Sequence, residues 1–197
     1  MKAKIPVKQL SVISLLVATG VVVRSGLGWL AYVVPAFYGV LVKVGLSETL
    51  AFICGFVFGP IQGFIAGVLI IIVSDMFGIY GPGLWTPFIA VIIGLVGIGG
   101  WMFRRFKENP SVISIGVAAV ILTIVSELLQ NIWFAWYMWA FYMSETGFMI
   151  VLGMSLVGGI KSMVTALINN TVLFTAVAPR IIKVLQEMVM PKENRRD

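Results

Sequence analysis

"GFVFGPIQGFIAGVLIIIVSD", Gly55 to Asp75, is the stretch on which the fold turns. Gly55, Gly59, Gly63 and Gly67 stand four residues apart, so in a helix they share nearly one face, and without Cβ atoms they let a neighbouring backbone come close. Gly59-Pro60 interrupts that face. Proline removes an N–H donor and clashes with the preceding turn, so a straight helix across it is costly unless the chain turns there. After Asp75 comes the glycine- and proline-rich "FGIYGPG", then "GLWTPF", in which Trp85 and Thr86 open the next helix.

Outward from this stretch the chain stays apolar. With 60% hydrophobic residues, 11% charged and a mean hydropathy of +1.05, nearly every segment between charges can sit in hydrocarbon. The sequence describes an integral membrane protein, multi-pass in the cell membrane. The first apolar run, Leu10 to Val23, is followed by Arg24 and more apolar sequence rather than a small-residue cleavage site, which marks a retained helix. A single cysteine, Cys54, excludes an internal disulfide, and the lack of histidine removes the commonest metal ligand and near-neutral proton shuttle. No metal site is expected. The net charge of +6 sits mostly at helix ends and tails, which points to orientation in a membrane and not to nucleic acid.

Breaks at the Arg24 region, Gly59-Pro60, 77–83, 104–110, 143–147 and after Pro179 leave spans near 10–23, 48–59, 61–76, 84–103, 111–142 and 147–179. Residues 27–42 are either a further full span, with 48–76 one long helix bent at Pro60, or an outer loop folded on the bundle, with Gly59-Pro60 a tight inner turn. Both give an all-α protein of six transmembrane helices. Lys2, Lys4, Lys8, Arg104, Arg105, Lys107, Arg180, Lys183, Lys192, Arg195 and Arg196 fall on one side either way, which places both termini in the cytoplasm. Only the side of Lys43 depends on the choice, and it favours the full span by one residue. The expected organisation is a cytoplasmic tail over 1–9, a single membrane domain over 10–186 and a basic cytoplasmic tail over 187–197.

The pattern "FGPIQGFIAGVL…SD", the loop "GIYGPGLWTP", the helix "FIAVIIGLVGIGGWMFRR" and "GGIKS" at Gly158 to Ser162 resemble the substrate-binding S components of energy-coupling factor (ECF) transporters, over about residues 48 to 180. The resemblance implies a six-helix vitamin-capture subunit with both termini inside. It also implies a cytoplasmic Gly-Pro turn and an outer loop over 27–42 that closes the site, carrying Trp29, Tyr32 and Tyr38. The implied partners are a vitamin or its precursor, membrane lipid, a transmembrane coupling subunit and two ATPase subunits. Family members that dock on a shared membrane subunit carry paired alanines four apart on the first helix; this chain offers Ser14 and Ala18.

Ionisable residues inside a membrane helix are costly unless paired or facing water, which makes Glu127 and Lys161 candidates. Each lies 14 residues from the outer end of its helix, about 21 Å down at 1.5 Å per residue, and antiparallel neighbouring helices would bring them within reach of each other. Asn131 lies one turn outward from Glu127 with Gln130 to its side, and Thr165 and Asn169 continue the Lys161 face. The resemblance implies binding roles for an asparagine on the fifth helix and a lysine on the sixth, for which Asn131 and Lys161 are matches. Trp133, Trp136 and Trp139 drift around the helix, so part of an interfacial aromatic belt can turn inward, and Trp133 is the candidate for stacking on a planar ligand. Tyr80, Trp85 and Thr86 would complete the pocket. Asp75 and Glu48, near helix ends, suit solvated or capping roles.

No catalytic residue is expected. "GMSLVGGIKS", Gly153 to Ser162, fails as a phosphate loop because its lysine does not follow the second glycine of the pattern. ATP hydrolysis would then belong to other subunits, and no enzyme is expected. Beside the importer subunit stand two alternatives: a proton-coupled secondary transporter acting alone through Glu127 or Asp75, against which counts the single broken half, and a structural subunit in which Glu127 and Lys161 merely pair.

Overall fold

The computed structural model describes residues 6–34, 36, 38–41, 43–79 and 81–189, without the side chains of residues 38, 39 and 189. These form helices α1 (Val7–Val33), α2 (Tyr38–Leu41), α3 (Leu46–Phe58), α4 (Pro60–Met76), α5 (Thr86–Phe106), α6 (Val112–Phe141) and α7 (Phe148–Val189). No strand occurs among the described residues. By length and apolarity α1, α5, α6 and α7 each suffice to cross a bilayer, and α3 and α4 are shorter apolar helices.

At Gly59 the backbone takes φ 112° and ψ 173°, a conformation reserved for glycine, and Pro60 starts α4 at a first-turn position where its missing N–H costs nothing. The chain reverses there. A Cβ on Gly63 would meet the backbone of Gly55, a contact open to residues eight apart only if α4 folds back on α3. Residues 48–76 are therefore a hairpin and not one bent helix. The glycine face is its seam with α5: a Cβ on Gly63 would stand 2.8 Å from the Gly97 oxygen, and one on Gly67 2.6 Å from the Ile93 oxygen.

The expected break at Arg24 does not occur, because the guanidinium finds partners sideways: its Nε donates to Ser74 Oγ at 2.9 Å and Nη2 to Asp75 Oδ1 at 3.1 Å. The first helix therefore runs on to Val33, carrying Trp29 and Tyr32, and 27–42 is neither a full span nor wholly a loop. Tyr38 starts α2, but its side chain lies outside the described residues. Nor does Pro179 end the last helix. Its lost hydrogen bond is tolerated where Ala178 and Ile182 on either side are fixed in the core.

The core centres on α3, ten of whose thirteen residues are buried. Phe52 packs on Phe174 of α7 at 5.2 Å and on Phe103 of α5 at 5.8 Å between ring centroids. A helix wrapped this way needs no bilayer-spanning length, since protein satisfies its surroundings. Arg104 Nη1 donates to the Phe56 and Val57 carbonyls at 3.2 and 3.1 Å, closing the last turn of α3. This fixes the end of α5 beside the Gly59 turn. Gly20 lies against Ile70 and Arg24 against Asp75, so α1 runs parallel to α4 and begins at that same end, where Lys8 Nζ donates to the Met188 carbonyl at 2.7 Å.

At the opposite end Asp75 is 8% exposed. It is paired with Arg24 and accepts from Thr86 Oγ1 at 2.6 Å, so of the two expected roles, solvated or capping, the solvated one does not hold. Thr86 Oγ1 in turn accepts from the Gly83 N–H at 3.0 Å. Asp75 thus ties α1 and α4 to the start of α5, directly beside Trp85. Asp75→Asn removes the charge facing Arg24 and weakens the acceptor for Thr86. A loss of about 1.5–3 kcal/mol, typical for hydrogen bonds to a charged group, is expected as a lowered melting temperature in detergent.

Candidate functional site

Between α1 and α3 the chain does not stay at the bundle's edge. Asn169 Nδ2 of α7 donates to the Val40 and Lys43 carbonyls at 3.1 and 3.3 Å. Gly45 rests on the Asn170 side chain, where a Cβ would collide. With its backbone held there, Lys43 extends its ammonium to Glu127 of α6, at 2.8 Å from Oε1 and 3.1 Å from Oε2. Glu127 is 4% exposed. A carboxylate that deep is sustained only by a partner, and the partner is this returning loop, not Lys161.

Beside the ion pair opens a cavity of about 400 Å³. Lys43 and Glu127 form its charged end, and Gln130 and Asn131 continue the α6 stripe at three- and four-residue spacing. Trp133, Phe134 and Tyr137 extend it as an aromatic wall, faced by Trp85, Ile89 and Ile92 of the α5 side and touched by Ser162 of α7. Trp133 is wedged among Phe88, Tyr137 and Trp136, at centroid distances of 4.6, 5.1 and 5.8 Å. An apolar and aromatic hollow of this size with a few fixed polar groups is the usual form of a small-molecule site.

A family model described as "ECF-type riboflavin transporter, S component" matches residues 4–179. The chain belongs to this family. It is therefore a substrate-binding membrane subunit of the ECF transporter type, a transport component and not an enzyme. No curated protein and no solved structure gave a match.

Within this S component four of the expected site residues line the cavity beside the ion pair: Trp85, Glu127, Asn131 and Trp133. Asn131 is also a strut, since its Nδ2 donates to the Glu127 carbonyl at 2.8 Å and its own carbonyl accepts from Ser155 Oγ of α7 at 3.0 Å. Thr86 is committed to Asp75 and does not line the cavity. Thr165 Oγ1 turns back to the Lys161 carbonyl at 2.9 Å. Lys161 is exposed on α7 beside the lining Ser162. Tyr80 lies outside the described residues. Sequence reasoning missed Lys43 as a cavity residue, because its place depends on the path of the returning loop. Gln130, read as lying to the side of Glu127, lines the cavity too, and Phe134 and Tyr137 were missed, although helical spacing from Glu127 is the signal that finds them.

Proposed function

We propose that this S component captures a riboflavin-like vitamin, a flat heterocycle with polar substituents, from the outside of the cell and releases it inward when coupled to a transmembrane subunit and two ATPase subunits. The observation that carries the proposal is the cavity at the Lys43–Glu127 pair, with aromatic walls for a planar ring and amides for its polar edge. The family description names riboflavin for the family, which supports the choice of ligand. In this reading the Gly59 turn and both termini face the cytoplasm, where the basic residues congregate, and the segment bearing Lys43 is the lid. Lys161, a cation midway along a membrane helix with no ion-pair partner among the described residues, reaches past Ser162 to the bound ligand. A lone proton-coupled carrier fits less well, since Asp75 and Glu127 are each held by a cation.

The test is titration of the purified, ligand-stripped protein with riboflavin, followed by quenching of flavin fluorescence. Stoichiometric binding by the isolated chain is expected, with uptake into liposomes only when the ATPase partners are added. Lys161→Met should keep the wild-type melting temperature, having no ion-pair partner to lose among the described residues, and weaken binding by about tenfold, the scale of one charge-assisted hydrogen bond. No binding by the wild type, or uptake by the chain alone under a pH gradient, would overturn the proposal.

A further inference from the structure

Among the described residues two buried side-chain polar atoms have no hydrogen-bond partner, Trp133 Nε1 and Asn170 Oδ1. Only Trp133 lines the cavity beside the Lys43–Glu127 pair. An indole N–H can donate and do nothing else, and a buried donor left without an acceptor is a standing cost that folded proteins rarely carry without a reason. The ring has little freedom to turn the N–H elsewhere: Phe88 meets it at an interplanar angle of 86°, Trp136 at 90°, and Tyr137 packs on it at 5.1 Å between centroids. With three aromatic neighbours crowding it, the residue has more to offer a ligand through its N–H than through a free stacking face. Two other polar groups of the α6 stripe differ from it, since Glu127 is neutralised by Lys43 and Asn131 Nδ2 is bonded to its own helix.

We infer that Trp133 is a specificity-determining hydrogen-bond donor, reading an in-plane acceptor, a carbonyl oxygen or ring nitrogen, on the edge of the captured heterocycle. The donor is already desolvated but shut off by its neighbours before the ligand arrives, so a ligand reaches it as the aromatic wall shifts; one with the matching acceptor then gains the bond and one lacking it leaves the N–H unpaired. This role rests on the substrate-capture proposal, with riboflavin as the probe.

The experiment combines riboflavin titration with NMR of protein labelled with ¹⁵N at the tryptophan indoles, which gives one signal for each of six tryptophans. The signal missing from Trp133→Phe identifies Trp133. On adding riboflavin to the wild type, that resonance is expected to move downfield and its exchange with solvent to slow. Trp133→Phe, which keeps a ring in the wall, should lower affinity about 10- to 100-fold, while Trp139→Phe, whose ring packs on Phe148 outside the cavity, should not. Wild-type binding with an unmoved Trp133 indole signal, or with equal affinity in Trp133→Phe, would overturn the inference while leaving the capture proposal standing. No binding by the wild type removes both. Should Trp133→Phe not fold, the wild-type indole signal, assigned instead by its proximity to Phe88, still decides.

Discussion

Gly55→Ala is expected to abolish recovery of folded protein, with the single detergent-solubilised species replaced by aggregate on gel filtration. A Cβ at this position would fall on the Gly97 carbonyl oxygen of α5. That atom is backbone, so no rotamer change relieves the overlap, and α5 must move away from α3. The movement cannot stay local. Gly63 and Gly97 are in mutual backbone contact along the same seam, and Gly100 meets the Phe52 carbonyl, so parting α3 from α5 opens contacts along the whole hairpin. Overpacking a close-packed core typically costs about 1–3 kcal/mol and occasionally more, and with several backbone contacts opened together the sum exhausts a total stability at the lower end of about 5–15 kcal/mol. Gly26→Ala and Gly28→Ala provide the contrast, because a Cβ there meets nothing within 4 Å among the described residues. They are expected to fold normally and to gain up to about 1 kcal/mol from the better helix former.

The same seam explains what the sequence disclosed. Glycines four apart signal close backbone approach whatever the partner, and Gly59-Pro60 signals a reversal, so the hairpin was legible as one of two alternatives. Choosing between them needed the contact of Gly63 with Gly55, which composition does not contain. Glu127 was legible as a buried acid because its cost in a membrane is local and large. Its partner was not. Matched depth pointed to Lys161 on the neighbouring helix, whereas Lys43, held against α7 by Asn169, is the residue that meets Glu127. Depth along a helix says nothing of azimuth, and the path of a loop is set by long-range contacts such as those of Asn169 and Asn170. Arg24 failed as a break for a related reason: a charge ends a membrane helix only when no neighbouring helix offers it a carboxylate, and α4 offers Asp75.

Lys43→Met is expected to destabilise the protein more than Glu127→Gln, and the combination of the two should be milder than Lys43→Met alone. The asymmetry follows from burial. The Glu127 side chain is 6% exposed and that of Lys43 26%, so losing the lysine strands a carboxylate in an apolar wall. Breaking a buried pair from that side costs about 3–5 kcal/mol. Losing the carboxylate leaves an ammonium on a flexible stem beside a hollow of about 400 Å³, where water and the Gln130 side chain can receive it. The double variant carries no unpaired charge, and the segment bearing residue 43 is still held by Asn169 and Asn170, so its melting temperature should return near that of the wild type. Its affinity for riboflavin should not. If the pair only braced the lid against α6, neutral packing would restore binding together with stability. If it meets the ligand, as its position at the end of the cavity implies, the double variant is a stable protein that binds at least about tenfold more weakly, the worth of one hydrogen bond to a charged group. Titration and thermal melting of all four proteins therefore separate a brace from a binding site, and recovery of both properties in the double variant would reduce Lys43 and Glu127 to a brace.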